Sequence, residues 1–380
     1  MEVEREVDDS DERLRVQEDD EEKAALLRII LAFRDYASSA EWEVARWQSN
    51  FAQLPPHHKA LLPGHAAKLA EARRAIQTNS FLIKSLLAAF DPECASGPLP
   101  PHLLPSGGGA GGEGAGAQGQ SAKRPEDQPV SAHDADKVDR SNPHRPPRVL
   151  IPGAGLGRLC VDVAALGYEA QGNEFSYYML LASSFILNST TEVGQYTIHP
   201  WIHSNCNHLT DADQLRAVPV PDVVPGEALP GPGLLSMCAG DFVEVYGAPD
   251  MAGMFDCVAT CFFIDTAHNV LRYLEVLSHV LAPGGRWAPE LSIELSLDDV
   301  RSAAQAMGFR LVKEEVVDVP YMADYRSMYK TVYQASFWTM VKEREWTPPP
   351  PLPQQQLQGQ TGSAERPPPP PPPPRSQAAS

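Results

Sequence analysis

Long apolar runs are missing from this 380-residue sequence, and so is an excess of positive charge. No stretch is long enough to span a bilayer and the N-terminus has no apolar signal region, so we expect a soluble protein of the cytoplasm, with the nucleus as a second compartment. Asp and Glu number 49 against 31 Lys and Arg, which gives a formal net charge of −18. Because such a surface repels phosphate, neither nucleic acid nor a membrane is expected as a partner.

Cysteine is also scarce. The six cysteines are scattered along the chain, at Cys94, Cys160, Cys206, Cys238, Cys257 and Cys261. Cys257 and Cys261 lie inside an apolar run typical of a strand, which is the wrong place for a zinc knuckle, so we expect six reduced thiols. The segment "IHPWIHSNCNHL" holds three histidines and a cysteine, but no helix or strand register brings them together. No metal site is predicted.

The 37 prolines and 27 glycines are concentrated in a few tracts, which divide the chain. Residues 1–22 contain twelve acids and read as a disordered acidic tail. Residues 95–147, a linker rich in Gly, Ser and Pro, and residues 343–380, which include eight consecutive prolines, have too few large apolar residues to fold. This leaves an N-terminal helical region at 23–94, with two or three amphipathic helices, and a larger domain at 148–342.

Residues 148–342 alternate strand and helix patterns, which predicts an α/β domain with a mostly parallel sheet. The predicted strands are 148–152, 168–173, 234–238, 255–263, 284–288, 309–317 and 332–341, and the predicted helices are 156–166, 175–187, 267–281 and 296–307. Residues 189–232, rich in Pro and His, form an insertion between the second and third strands. The last two strands have no helix between them, which predicts an antiparallel hairpin at the sheet edge.

The stretch "RVLIPGAGLGRL" joins the first strand to a turn that contains Gly153, Gly155 and Gly157. Such a turn lets a ligand approach the backbone, and it is typical both of dinucleotide-binding domains and of domains that bind S-adenosylmethionine (SAM); a tight structural turn is the third reading. Glu174 lies 21 residues after Gly153, at the tip of the second strand, where a carboxylate can accept both ribose hydroxyls. Since both cofactors contain that ribose, Glu174 does not distinguish them.

Later segments favour SAM over NAD. "MCAGDF" places Asp241 and Phe242 directly after the third strand, where a carboxylate and an apolar ring can contact adenine. "FDCVATCFFIDTAHN" ends at the topological switch point of the sheet, and "HVLAPGGRW" is typical of the turn before the fifth methyltransferase strand. The antiparallel hairpin is also typical of methyltransferases and unusual in dinucleotide-binding sheets.

Together, "LIPGAGLGRL", "GYEAQGNEFSYYML", "YTIHPWIH", "MCAGDF" and "CVATCFFIDTAHNV" closely resemble the carnosine N-methyltransferase family. The resemblance covers roughly residues 24–94 and 148–342. It implies the class I SAM-dependent methyltransferase fold: a seven-stranded, Rossmann-like sheet with an antiparallel last strand, here with an N-terminal helical region and disordered tails. The implied reaction is methyl transfer from SAM to an imidazole nitrogen of carnosine, which gives anserine, or of a related histidine-containing peptide.

The resemblance also implies roles for individual residues. The implied cofactor contacts are Gly153, Gly155, Glu174, Asp241, Phe242 and Cys261, and the implied substrate contacts are Asp265, Tyr321 and Tyr333. Asp265 is the implied catalytic residue, and its chemistry agrees with that role. A carboxylate that accepts one imidazole N–H leaves the other nitrogen nucleophilic and stabilises the cation that forms. The structural alternative is that Asp265 caps the helix "TAHNVLRYL".

The sequence departs from the family pattern at two places. A "GPLLYH" loop after the fifth strand, with a substrate-contacting histidine, is missing, and so is a Gln-x-x-Arg-Asp-Trp helix before the glycine loop. Either two site elements were lost or exons are missing from the gene model, and the well-matched flanks favour the second. Two alternatives stay open, a methyltransferase for another histidine-containing peptide or protein and a noncatalytic SAM-binding protein. Whether the chain forms a homodimer is open as well.

Overall fold

The computed structural model of the chain describes residues 9–88, 90, 144–288, 295–321 and 324–348, with side chains from Glu22 onward. The described residues up to Glu345 belong to one compact unit, and residues 346–348 belong to a second. Most of the predicted linker and of the Pro-rich tail lies outside the described residues, so their disorder stays a prediction.

The described residues form helices and strands in an order that matches the predicted alternation. The elements are α1 (Asp9–Ala52), α2 (Pro56–Ala60), α3 (His65–Leu87), β1 (Arg148–Pro152), α4 (Arg158–Ala165), β2 (Glu169–Glu174), α5 (Tyr177–Ser189), β3 (Tyr196–Ile198), α6 (Asp211–Gln214), β4 (Val218–Val220), α7 (Pro225–Ala228), β5 (Leu235–Ala239), α8 (Phe242–Tyr246), β6 (Phe255–Ala259), α9 (Val270–Val280), β7 (Leu281–Ala288), α10 (Leu297–Ala306), β8 (Phe309–Pro320) and β9 (Val332–Lys342). Among these helices, none is long and apolar enough to cross a membrane.

Seven strands form one sheet in the order β5-β2-β1-β6-β7-β9-β8. The neighbours from β5 through β7 pair in parallel, whereas β9 pairs antiparallel with both β7 and β8. This confirms the predicted α/β class and the sheet of a class I methyltransferase, including its antiparallel last strand. The predicted edge hairpin of β8 and β9 is confirmed as well.

The centre of the sheet is apolar because it is covered on both faces. All five residues of β1 are buried, and Leu150 is fully buried. Val149 and Ile151 pack with Cys160 and Ala164 of α4 in one apolar cluster. A continuous apolar run such as "VLI" is what a parallel strand covered on both faces requires.

Two of the N-terminal helices, α1 and α3, pack onto this domain. Leu26 and Ile30 of α1 and Leu86 of α3 form an apolar cluster with Leu181 and Phe185 of α5. One expectation is wrong. α1 begins at Asp9, so the part of the predicted disordered tail that the structure describes is helical, because it continues a helix whose C-terminal part is anchored by packing.

The start of the main domain also differs slightly from the prediction. Both terminal nitrogens of Arg145 donate to the Asp256 carboxylate at 2.7 and 2.8 Å, and the Arg148 backbone N–H donates to it at 2.8 Å. The domain therefore begins before residue 148, inside the predicted linker.

The insertion, residues 189–232, contains structure that its composition did not show. β3 and β4 form a separate two-stranded antiparallel sheet in which Tyr196 faces Val220. The short helices α6 and α7 flank β4 in the chain. As predicted, the insertion joins the second and third strands of the main sheet, β2 and β5.

One predicted strand is too long. Residues 255–263 were expected to be extended, but β6 ends at Ala259. Phe262 has a φ of +47°, which is incompatible with a strand, and a 3-10 helix follows at Ile264–Thr266. As a result α9 begins at Val270 rather than at residue 267. The other predicted element ends agree within three residues.

Gly172 in β2 lies where no side chain fits. A Cβ atom at this position would lie 2.5 Å from Met237 Sδ, 2.8 Å from Cys160 Sγ and 2.9 Å from Ala154 Cβ. These atoms come from β5, from α4 and from the glycine loop. Close packing of all three against β2 therefore depends on a residue without a side chain.

We predict that Gly172→Ala lowers the free energy of unfolding by about 1–3 kcal/mol, the usual cost of overpacking a core. Gly226→Ala is the control, because a Cβ at Gly226 in α7 meets nothing within 4 Å. The measurement is urea unfolding of both variants and the wild-type protein. Equal stability of the two variants would contradict the steric argument.

Candidate methyl-transfer site

The loops that follow four neighbouring strands meet at one edge of the sheet. β5, β2, β1 and β6 are adjacent and parallel, so their carboxyl ends point the same way. The chain leaves β1 towards β2 on one side and returns to β6 on the other, which makes the junction of β1 and β6 the switch point of the sheet. Open α/β sheets bind their ligands at this position.

The glycine loop after β1 adopts a backbone that glycine allows. Gly153, Gly155 and Gly157 have φ values of +67°, +57° and +82°. A Cβ at Gly153 would lie 2.9 Å from the Phe263 ring, whereas a Cβ at Gly155 would meet nothing within 4 Å. The two glycines therefore have different roles. Gly153 allows close internal packing, whereas Gly155 leaves open space next to the backbone.

The Glu174 carboxylate connects this loop to the end of β2. Its Oε2 accepts the Gly155 backbone N–H at 2.8 Å, and its Oε1 accepts the N–H groups of Phe175 and Ser176, each at 2.9 Å. A carboxylate has about four acceptor positions, so these bonds orient the group and leave capacity for a further donor. The structure thus brings Gly155 and Glu174 together, as the cofactor prediction requires.

Asp241 and Phe242 lie at the same edge, directly after β5, but both have structural partners. Asp241 is the N-cap of α8, since its carboxylate accepts the N–H groups of Val243 at 2.7 Å and Glu244 at 3.1 Å. Phe242 is only 2% exposed and packs edge-on against Phe263, with ring centroids 5.1 Å apart. Their contact with adenine stays a prediction.

Phe242 belongs to an aromatic cluster beneath the loops. Phe263 stacks on Tyr273 of α9 with centroids 4.9 Å apart and ring planes at 16°, and Phe242 lies 5.1 Å from the same tyrosine. Because Phe263 also bounds Gly153, this cluster connects the glycine loop to the segment after β6.

Phe262 contacts both tyrosines that were predicted to bind substrate, and no sequence pattern had indicated it. Its ring centroid lies 5.8 Å from that of Tyr321 and 6.0 Å from that of Tyr333, and the tyrosine centroids are 5.2 Å apart. The two tyrosines predicted to contact substrate are thus brought together, at the segment that contains Asp265. A positive φ in a bulky residue costs energy and is concentrated at functional sites.

Asp265 lies in the 3-10 helix Ile264–Thr266, and its Oδ1 is buried without a hydrogen-bond partner in the described structure. Burial raises the pKa of this carboxyl. The capping alternative is wrong, because Asn269 is the N-cap of α9 and accepts the N–H groups of Leu271 at 3.1 Å and Arg272 at 3.3 Å. Because buried polar atoms are almost always hydrogen-bonded, an Asp265 oxygen without a donor is consistent with a carboxylate that accepts a ligand N–H.

The remaining predicted residue, Cys261, is exposed and lies two positions beyond the end of β6. The histidines of the insertion have separate partners. His199 Nδ1 lies 2.8 Å from the Leu215 carbonyl oxygen, and His203 Nε2 lies 3.3 Å from the Tyr36 hydroxyl oxygen. Within the described ranges, no group of three His, Cys, Asp or Glu side chains is arranged to hold a metal ion. The connection after β7, where the family loop is missing, lies partly outside the described residues.

Comparison with known proteins identifies the family. The family model described as carnosine N-methyltransferase matches residues 118–344. A carnosine N-methyltransferase from Mus musculus is 34% identical over 365 residues, covering 86% of this chain and 88% of that protein. A carnosine N-methyltransferase from Schizosaccharomyces pombe is 42% identical over 226 residues, covering 54% of this chain and 60% of that protein. One from Dictyostelium discoideum is 42% identical over 211 residues, covering 52% of this chain and 45% of that protein. The chain therefore belongs to the carnosine N-methyltransferase family.

Proposed function

We propose that this protein transfers a methyl group from SAM to an imidazole nitrogen of carnosine, giving anserine, or to that of a related histidine-containing peptide. The observation that carries the proposal is Asp265. Its buried, unpartnered oxygen lies at the switch point of a methyltransferase sheet, in the segment where Phe262, Tyr321 and Tyr333 meet.

The residues of the glycine loop fit SAM. The open space at Gly155 allows a ligand to approach the backbone, and Glu174 is oriented next to it with acceptor capacity for a ribose hydroxyl. When bound, SAM supplies a methyl group activated by a positively charged sulfur. No general base is needed to activate that group, so the protein has to bind and orient the two reactants.

Asp265 provides the orientation of the nucleophile. A neutral imidazole is nucleophilic only at the nitrogen that carries no proton. An acceptor at the other nitrogen selects the required tautomer. As the methyl group bonds to the free nitrogen and its bond to sulfur breaks, the ring becomes cationic, and the adjacent carboxylate stabilises the charge. The N–H proton then leaves the ring through Asp265.

We propose a reducing compartment for this protein, and its thiols support the proposal. Cys206 and Cys261 are exposed, and the described cysteines form no disulfide, which suits the reducing cytoplasm or nucleus.

We predict that Glu174→Ala weakens SAM binding by about 1.5–3 kcal/mol, because a charge-assisted hydrogen bond to ribose is lost. Isothermal titration calorimetry of the two proteins with SAM measures the change. Glu227→Ala, at an exposed position of α7, is the control and keeps wild-type affinity. Wild-type protein that binds NAD and does not respond to SAM would contradict the cofactor assignment.

We predict that Asp265→Asn lowers carnosine turnover by about 10²-fold, the usual loss for a preorganised electrostatic partner, and leaves SAM affinity unchanged. Asp250→Asn, at an exposed position before β6, is the matched control. Turnover by Asp265→Asn at the wild-type rate would disprove the orientation mechanism. If the wild-type chain itself is slow, both substitutions are compared in a chimera with the family loop inserted after Trp287.

Asp265→Asn should lower turnover, but we predict that it does not lower the stability of the fold. Since burial raises the pKa of Asp265 in the folded protein, its ionised form costs folding free energy at every pH above that raised value, and the cost disappears below the pKa of the unfolded chain. At pH 7, Asp265→Asn should therefore unfold at a temperature equal to or above that of the wild-type protein in differential scanning calorimetry. A clearly lower unfolding temperature would mean that the carboxylate stabilises the fold.

A further inference from the structure

A partly buried arginine, Arg216, connects the insertion to the loop between β8 and β9. The Arg216 guanidinium carbon lies 3.9 Å from the ring centroid of Trp201 and 4.9 Å from that of Tyr325. Trp201 and Arg216 belong to the insertion, whereas Tyr325 belongs to the loop. A planar, weakly hydrated guanidinium suits a position between two rings.

Asp324 forms an ion pair with the same guanidinium. Arg216 Nη2 donates to Asp324 Oδ1 at 2.8 Å, and the Asp324 side chain is 3% exposed. Arg216 Nη1 is buried without a hydrogen-bond partner in the described structure. His208 Nδ1 lies 3.9 Å from the other Asp324 oxygen.

Further bonds join the same two segments. Arg326 of the loop pairs with the buried Asp213 of the insertion at 2.5 Å. The Met328 backbone N–H donates to the Asn207 carbonyl oxygen at 2.8 Å, and Asn207 itself has a φ of +64°. On its other side the insertion is attached to α3, since the His199 backbone N–H donates to Asn79 Oδ1 at 2.6 Å.

The loop held in this way begins at Tyr321 and leads into β9, which carries Tyr333, so it joins the two tyrosines predicted to contact substrate. The Tyr321 backbone N–H donates to the Thr331 carbonyl oxygen at 3.0 Å, which closes the loop at its base, and Tyr333 follows in β9. The β8–β9 ladder, in which Tyr333 faces Val319, sets the backbone from which both rings project. Tyr321 is 60% exposed and Tyr333 is 38% exposed, so the contacts with Phe262 and with each other restrain the rings only in part. Contacts that anchor the loop to the insertion therefore also restrict the positions of the Tyr321 and Tyr333 rings.

We propose that Arg216 is a positioning residue: its placement between Trp201 and Tyr325, paired with Asp324, fixes the loop against the insertion and so holds Tyr321 and Tyr333 at the substrate end of the site. The effect on catalysis rests on the proposed function, whereas the effect on the loop does not. Arg216 acts through the tyrosines and has no part in binding SAM.

The test uses the full chain with Arg216→Lys, which keeps the charge and loses the planar stack, Arg216→Met, which loses both, and Asp324→Asn, which loses the ion pair. Arg310→Met is the matched control, because Arg310 forms an exposed ion pair with Glu343. Hydrogen exchange is measured on peptides that cover residues 204–216 and 324–331. Carnosine affinity is measured in the presence of S-adenosylhomocysteine, followed by steady-state kinetics.

All three variants should exchange faster in both segments together, with Arg216→Met the most affected, and the control should not. We expect carnosine KM and Kd to rise about tenfold or more in Arg216→Met, with kcat and SAM affinity changed by less than about threefold. Arg216→Lys should fall between Arg216→Met and the wild-type protein.

Wild-type exchange in Arg216→Lys and Arg216→Met would overturn the proposal, and so would faster exchange with unchanged carnosine KM and Kd. If Arg216→Met does not fold, Arg216→Lys and Asp324→Asn decide by the same criteria. If the wild-type chain neither binds nor methylates carnosine, the proposed function fails by itself. In that case the coupled exchange of the two segments still supports or overturns the holding of the loop by Arg216.

Discussion

The reversal of strand order at the junction of β1 and β6 determines where this protein can bind a ligand and carry out chemistry. Because β1 is followed by β2 on one side and borders β6 on the other, the loops after both strands start next to one another. The first holds the glycines and is connected by Glu174 to the end of β2. The second holds Asp265. The residues predicted to bind the cofactor and the substrate thus follow neighbouring strands, although Gly155 and Asp265 are 110 positions apart in the sequence.

Packing then fixes each side of that junction. On the cofactor side, Gly172 allows β5, α4 and the glycine loop to approach β2 closely. On the substrate side, the backbone of Phe262 turns sharply after β6, and its ring contacts Tyr321 and Tyr333. The turn has a second consequence, since it ends the strand early enough for Asp265 to lie in a 3-10 helix with a buried oxygen. An energetically costly backbone, an unpaired carboxylate oxygen and two half-exposed rings all occur at the proposed site of chemistry.

Much of this arrangement could be predicted from the sequence, because it depends on local patterns. Apolar runs and helical periodicity located the strands and helices of the main sheet, and the glycine spacing located the loop and Glu174. Three features depend on contacts that no local pattern records. Phe262 lies in an apolar run whose pattern predicts a strand, so nothing in the local sequence indicates its positive φ. Asn269 and Asp265 are both good capping residues, and only the geometry shows that Asn269 is the one that caps α9. The placement of Arg216 between Trp201 and Tyr325 joins residues from segments far apart in the chain.

The proposed reaction depends on one contact, in which Asp265 accepts the N–H of the imidazole that is methylated. The most direct measurement is a crystal structure of the protein with S-adenosylhomocysteine and carnosine bound together. We expect one imidazole nitrogen to lie within hydrogen-bond distance of an Asp265 carboxylate oxygen, about 2.6–3.2 Å, and the other to face the sulfur. An imidazole bound elsewhere, or one that points away from Asp265 with the cofactor product in place, would contradict it.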